Sequence, residues 1–303
     1  MTPGDFFVSE VLGRPLGGQG EHVYFFVEKE GLNTADVAQL LASSYDVAVA
    51  DIGYAGRKDK HAVTRQWFSV PVPMTRPTHW SVAHQKLRCL TSIRHSQKLR
   101  RGQLLGNRFR LRLQLQHAPG ETLSRLSEWF PNRFGPQRFA EDNLTRAIAW
   151  LSNRRQRRRD RQVRDRQVEG WHLSVLRSFL FNEVLDARLA HGDLRKPLAG
   201  DVLQAGVPTA PLWGRGRTAT SGHALEIEQQ ALAPHQEICD ALEHAGVQQG
   251  RRALTVKPHS FKSVLSNATD LYLDFALPAG SYATTMLGCW FCLHDVAAER
   301  QLI

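Results

Sequence analysis

GNRFRLRLQLQ, residues 106–116, repeats with a period of two. Asn107, Phe109, Leu111, Leu113 and Leu115 share one face, and Arg108, Arg110 and Arg112 share the other. A helix would scatter these residues around its axis, whereas a strand sorts them cleanly onto two sides. The chain must therefore build a sheet with one buried and one solvated face here. A second segment does the same: Leu271, Leu273, Phe275 and Leu277 alternate with Tyr272 and Asp274. The discordant member of the first apolar face is Asn107. An amide there must find a partner or cost on the order of 1–3 kcal/mol; a strand-end amide bonded to water and a functional amide fit the pattern equally well.

Other elements fall around these strands. Phe6–Val11 and Val23–Val27 are β-prone runs joined by GRPLGGQG and read as a hairpin with a long loop. NTADVAQLLAS opens with cap-type Asn33 and Thr34 and has helical spacing at Val37, Leu40 and Leu41. VAVADIGYAG reads as a strand, and after a short loop another carries Phe68, Val70 and Val72 on one face. Leu173, Leu176, Leu180 and Val184 form the stripe of a core helix. Residues 192–222 read as short strands and loops, ALEIEQQALA as a helix, and PAGSYAT ends the last strand before a closing helix. β-rich ends around a helix-rich middle indicate an α+β chain with one domain inserted in another.

Among 303 residues, 39 Lys and Arg face 29 Asp and Glu, a formal charge of +10. That excess favours a polyanionic partner, nucleic acid above all, because neutralised phosphates release counterions. Its distribution sharpens the point. Residues 154–166 hold eight arginines against Asp160 and Asp165, so most of the net charge sits in 13 residues. Arginine matches phosphate bidentately and stacks on bases, so Arg154, Arg155, Arg157, Arg158 and Arg159 are candidate RNA-backbone contacts, against the plainer reading of a solvated helix face. No apolar stretch approaches the roughly 18 residues of a membrane span. MTPGDFFVSE has no signal-peptide core, and four cysteines do not make a disulfide scaffold. The expectation is a cytoplasmic protein.

GYAGRKDKHAVTRQW, residues 53–67, places one carboxylate, Asp59, between Lys58 and Lys60, with Arg57 and His61 outside them. Asp51, Asp59 and His61 could hold a cation, as in a nuclease. Against that, each of the neighbouring positive charges would cost a cation roughly 4 kcal/mol at 4 Å and an effective dielectric near 20. An ordinary aspartate is ionised at neutral pH, so the lysines are not needed to ionise it, and steering a phosphodiester towards it is a better use for them. The carboxylate is then suited to act as nucleophile, base or electrostatic stabiliser, or else forms a surface salt bridge of little energetic weight. CWFC, Cys289–Cys292, has metal-like spacing but lacks a second ligand pair; with Val296 it reads as a buried stripe of the closing helix.

The Asp59 loop closely resembles the signature loop of the TruD family of tRNA pseudouridine synthases. TPGDFFVSE, GEHVYFFVEKEGLNTADVAQLLA, LLGNRFRLRL, NRFGPQRFAEDNL, RSFLFNEVL, GDVLQ and PAGSYAT resemble further segments of that family, in the same order. The resemblance implies a pseudouridine-synthase catalytic domain with a mixed, largely antiparallel sheet at 1–146 and 251–303, and an inserted α/β TRUD domain at 147–250. It implies that Asp59 severs and remakes the glycosidic bond of a uridine in tRNA, at position 13 in the D-stem region. Asn107 would hold that carboxylate, Phe109 would lie against the base, Tyr282 would close the pocket, and Phe6 would match the N-terminal motif. Lys58 would supply charge or a phosphate contact. Stacking a flipped base on aromatics is worth roughly 1–3 kcal/mol. The resemblance implies no cofactor, no metal and no obligate protein partner, tRNA as substrate and a monomeric chain. The family strand usually has residues ahead of it, a basic one included; here the motif starts at Thr2, and Gly4 stands where the family has an acid. The other reading is an RNA-binding or RNA-chaperone protein without turnover.

Overall fold

The computed structural model describes residues 3–13, 15–139, 142–157 and 166–294. In chain order its strands are β1 (Phe6–Val11), β2 (His22–Glu30), β3 (Gly53–Tyr54), β4 (Val63–Pro71), β5 (Leu87–His95), β6 (Gly106–Gln114) and β7 (Phe130–Pro131). They continue with β8 (Leu203–Gln204), β9 (Val207–Leu212), β10 (Gly250–Ala253), β11 (Thr255–Val256), β12 (His259–Leu265) and β13 (Asp270–Pro278). The helices are α1 (Thr34–Tyr45), α2 (Thr122–Arg125), α3 (Asn143–Arg157), α4 (Arg166–Ala190), α5 (Gly222–Leu232), α6 (Gln236–His244) and α7 (Ala283–Gly288). The chain divides into two compact units. One is built from residues up to Glu128 together with Pro258–Gly280 and the segment from Cys292, the other from Trp129–Lys257 and Ser281–Phe291.

The first unit is a mixed sheet in the order β12-β13-β6-β1-β4-β2-β5, with β3 added beside β4. Its pairings are antiparallel except that of β1 with β4. The alternating segments are β6 and β13, paired from Gly106↔Pro278 to Gln114↔Asp270, and Leu271, Leu273, Phe275 and Leu277 are all buried. The expected hairpin of Phe6–Val11 with Val23–Val27 does not form: β4 lies between β1 and β2 and pairs with both. The Gly-rich connection is long enough to carry the chain past that intervening strand. It ends at Gly20, whose φ of +121° and contact with the His95 backbone leave no room for a side chain.

The strand expected at VAVADIGYAG shrinks to a turn of 3-10 helix at Val49–Asp51 and the two residues of β3. The reason is the edge it must use. β1 already occupies that edge of β4 at Val63–Arg65, so β3 finds free partners only at Phe68 and Ser69. The helix signal at Asn33 holds: Asn33 N–H donates to Asp36 Oδ2 at 2.9 Å in a capping box, and Val37 and Leu41 face the core with Phe25, Phe68 and Val70.

The second unit packs α3–α6 against the small sheet β10-β9-β8. Leu173, Leu176, Leu180 and Val184 all enter its core, joined by Leu151, Cys239 and Leu242. The segment 192–222 holds β8 and β9 among loops, as its composition suggests. The buried cysteine stripe does not materialise. α7 stops at Gly288, so Cys289 and Cys292 lie past its end and are exposed, and Val296 lies outside the described residues. Among the described residues no three His, Cys, Asp or Glu gather in a metal-binding arrangement, and no helix is long and apolar enough to cross a membrane.

Candidate active site

Asp59 stands on the loop between β3 and β4, a connection anchored at both ends in the sheet. Its side chain is exposed, and Oδ1 accepts the His61 backbone N–H at 3.1 Å, which fixes the carboxylate's orientation locally. The loop beneath it is tied down by buried polar groups. Lys29 Nζ donates to the Asp59 carbonyl at 2.9 Å and to the Leu32 carbonyl at 2.6 Å. The Lys58 amide donates to Thr34 Oγ1 at 2.9 Å, Thr34 donates in turn to Gln66 Oε1 at 2.9 Å, and Gln66 Nε2 donates to the Gly56 carbonyl at 3.2 Å. Lys29, Thr34 and Gln66 are all buried. The backbone on either side of Asp59 is therefore held from the core while its carboxylate faces outward.

Lys58 points the other way. Its side chain is only 7% exposed, and Nζ donates to Asn107 Oδ1 at 2.7 Å while pairing with Glu10 Oε1 at 3.3 Å. Register puts both acceptors in place, because Glu10 on β1 stands directly opposite Asn107 on β6. The other oxygen of Glu10 accepts the Trp67 amide at 2.9 Å. Burial pushes the Glu10 carboxyl above its ordinary value, with Lys58 and the Trp67 amide pulling against it. Burial likewise brings the Lys29 amine down to about 8, opposed by the nearby Asp59 charge.

The site residues singled out in the sequence fall as follows. Asn107 finds the partner that its place on an apolar face demands. Its Oδ1 accepts from Lys58, the residue before Asp59, whose ammonium reaches it from the loop. Phe109 is buried, stacked on Phe275 at 5.4 Å between ring centres and meeting Phe6 edge-on at 6.4 Å. Tyr282 belongs to the second unit, where it precedes α7 and packs against Phe134 at 6.2 Å. Arg154, Arg155 and Arg157 lie on the final turns of α3, while Arg158 and Arg159 lie outside the described residues.

Glu10, Lys29, Thr34 and Gln66 escaped the sequence reading. For Lys29 a signal was present. It continues the row Val23, Phe25 and Val27, which faces the core, as Asn107 continues the row of β6.

Comparison with known proteins finds relatives of one family. A family model described as tRNA pseudouridine synthase D (TruD) matches residues 1–150. A protein of Shewanella oneidensis named tRNA pseudouridine synthase D is 39% identical over 312 residues, covering 93% of this chain and 82% of that one. One of Cellvibrio japonicus with the same name is 41% identical over 300 residues, covering 94% and 86%. The crystal structure of a Methanosarcina mazei protein, described as a candidate tRNA pseudouridine synthase D, is similar in fold, with a TM-score of 0.63 at 21% identity. It covers 96% of this chain and 92% of that one.

Proposed function

This chain belongs to the TruD family of tRNA pseudouridine synthases, and from that membership we propose that it converts a uridine of the tRNA D-stem region, position 13, to pseudouridine with Asp59 as its catalytic carboxylate. The observation that carries this reading is the opposition within one loop. Asp59 presents an exposed carboxylate, while its own carbonyl and the amide of Lys58 are pinned by buried Lys29 and Thr34. A surface aspartate serving only solubility has no need of such anchorage, whereas a group that must meet one carbon of a flipped nucleotide does.

The reaction is an isomerisation and conserves every atom of the base. The bond from ribose C1′ to N1 breaks, the uracil turns, C5 joins C1′ and gives up its proton, and N1 takes up a proton in its place. Asp59 serves as nucleophile at the ribose or as base towards its hydrogen, and the His61 amide holds the carboxylate's orientation. Lys58 stays bound between Glu10 and Asn107, where its charge supports the ionised loop. Phe6 and Phe109 supply an aromatic wall near the same strands. Residues 1–146 and 251–303 form the catalytic domain in this reading, with 147–250 as the insertion. The arginines from Arg154 to Arg159 contact the RNA backbone.

Carbodiimide mapping of unmodified tRNA tests the assignment. The chain should install a new pseudouridine in the D-stem region, and Asp59→Asn should abolish it while tRNA affinity stays within about threefold. Turnover by the Asp59→Asn protein, or a binding loss as large as the loss of activity, would remove Asp59 from this role.

A further inference from the structure

The ladder between β1 and β6 has apolar rungs at Phe6↔Leu111 and Val8↔Phe109, and the next rung on the same face is Glu10↔Asn107. Val8, Phe109 and Leu111 are buried, and so is Glu10, whose side chain is wholly shielded from solvent. A carboxylate at the end of such a row is costly unless a cation and a hydrogen-bond donor reach it. Lys58 Nζ stands 3.3 Å from its Oε1, and the Trp67 amide donates to its Oε2 at 2.9 Å. A buried pair of this kind adds little stability over two apolar side chains. Its use lies in fixing where the lysine goes.

That direction matters because of the next residue. Arg57, Lys58, Lys60 and His61 flank Asp59 in the chain, yet among the described residues no basic side-chain nitrogen lies within 4 Å of its carboxylate. Asp59 and Lys60 are exposed, whereas the Lys58 side chain is buried. The backbone at Lys58 is fixed by its amide on Thr34 Oγ1. From that fixed point the flexible four-carbon stem can run inward to Glu10 or swing outward beside Asp59. An ammonium let out to the surface has the Asp59 carboxylate as its neighbour in the chain.

Glu10 decides between the two. Asn107 Oδ1 accepts one ammonium hydrogen at 2.7 Å but is neutral, so the charge that makes this niche a place for an ammonium is that of Glu10. The dependence is mutual. Burial pushes the Glu10 carboxyl up and Lys58 pulls it back. Without Lys58 the carboxyl keeps its proton and matches glutamine in shape and charge. With Lys58 in the niche, the positive charge reaches the loop from beneath and leaves the Asp59 oxygens open.

We propose that Glu10 is a positioning residue of this site: it retains the Lys58 ammonium in the ladder of β1 and β6 and so keeps the adjacent Asp59 carboxylate free of a lysine partner. Its effect on turnover rests on the reading of Asp59 as the catalytic carboxylate; its hold on Lys58 rests on the geometry alone. On an open loop an Asp–Lys pair is weak. Under a bound RNA that excludes water the same contact strengthens, so releasing Lys58 harms the turnover of bound RNA and not its binding.

Two readouts test this. A pulse of acetic anhydride, read by peptide mass spectrometry, should modify Lys60 of the wild type and spare Lys58; in Glu10→Gln, Lys58 should react about tenfold faster than in the wild type, as a buried amine becomes an exposed one. The same substitution should lower kcat for tRNA pseudouridylation about tenfold while tRNA affinity holds or rises, since one more positive charge reaches the surface. In a Lys58→Met background, Glu10→Gln should change kcat by less than about twofold, because nothing remains to be retained. That pair also carries the test if Glu10→Gln alone has a lowered unfolding midpoint. Continued protection of Lys58 in Glu10→Gln, an unchanged kcat once Lys58 is open to the reagent, or an equal loss in both backgrounds overturns the proposal. If the wild-type chain makes no pseudouridine while Lys58 opens as stated, the catalytic reading falls and the hold of Glu10 on Lys58 stands.

Discussion

Lys29 occupies a place where an ammonium is costly, fully buried at the end of a core-facing row of β2. What it gains is two backbone carbonyls, one of them that of Asp59. The cost has a signature in pH. The amine titrates at about 8 in the folded chain against an ordinary 10.5, so between those values the unfolded chain holds a proton that the folded chain has released. Stability attributable to Lys29 therefore rises with pH across that window, by about 3 kcal/mol for such a shift, and is flat below it. Urea unfolding of the wild type and of Lys29→Met over pH 7 to 11 reads the effect as a difference that grows in favour of the wild type. The same substitution unties the Asp59 loop. Pseudouridine formation should fall about 10–100-fold, the penalty of a misplaced reacting group, with tRNA affinity nearly unchanged. Equal losses in both would make Lys29 a residue of general stability alone.

At the scale of elements, the site depends on how β6 is held. It is paired on one side with β1 and on the other with β13, and those two ladders place Asn107 opposite Glu10 and Leu277. A slip of one residue would turn Asn107 to the arginine face and take from Lys58 the nearer of its two acceptors. Gly106 guards this register. A Cβ there would lie 2.2 Å from the Leu277 carbonyl oxygen, a backbone atom that cannot swing aside. Gly106→Ala should destabilise the chain by about 1–3 kcal/mol, and activity measured well below its unfolding midpoint should remain depressed because Asn107 has moved. β6, β13, α1 and the core stripe of α4 were legible because each announces itself by period or cap within its own residues. So was the oddness of Asn107. The pairing of β1 with β4 was not, since the choice between adjacent and crossed strands is made by partners far along the chain. Glu10 stayed hidden for the same reason: its partner Lys58 is 48 positions away and is reached through a register that no local pattern encodes. The shortness of β3 reflects competition for one edge of β4, again a tertiary matter.

For the molecule as a whole, the charge of +10 is unevenly matched. The arginines of β6 are answered by Asp270, Asp274 and Asp5, so they contribute little attraction for RNA beyond the first few ångströms. The run from Arg154 to Arg159 has no such density of acids in its sequence. Replacing Arg154, Arg155, Arg157, Arg158 and Arg159 by glutamine should flatten the salt dependence of binding by more than about 1 unit of slope, for unrelated RNAs as well as tRNA; a slope equal to the wild type's would assign that segment a role other than backbone contact. The placement of the four cysteines has a different use. Cys239 is sealed in the core of the helical unit, its thiol pushed up to about 12 by burial, while Cys289 and Cys292 lie in the open and Cys89 sits half-buried on β5. Only the thiolate reacts, so an alkylating reagent consumes the outer sulfurs and then waits for the helices to part before it can reach the last one. The pace of that final modification is a stopwatch for the opening of one half of the molecule, already installed in the native chain and blind to the half that carries Asp59.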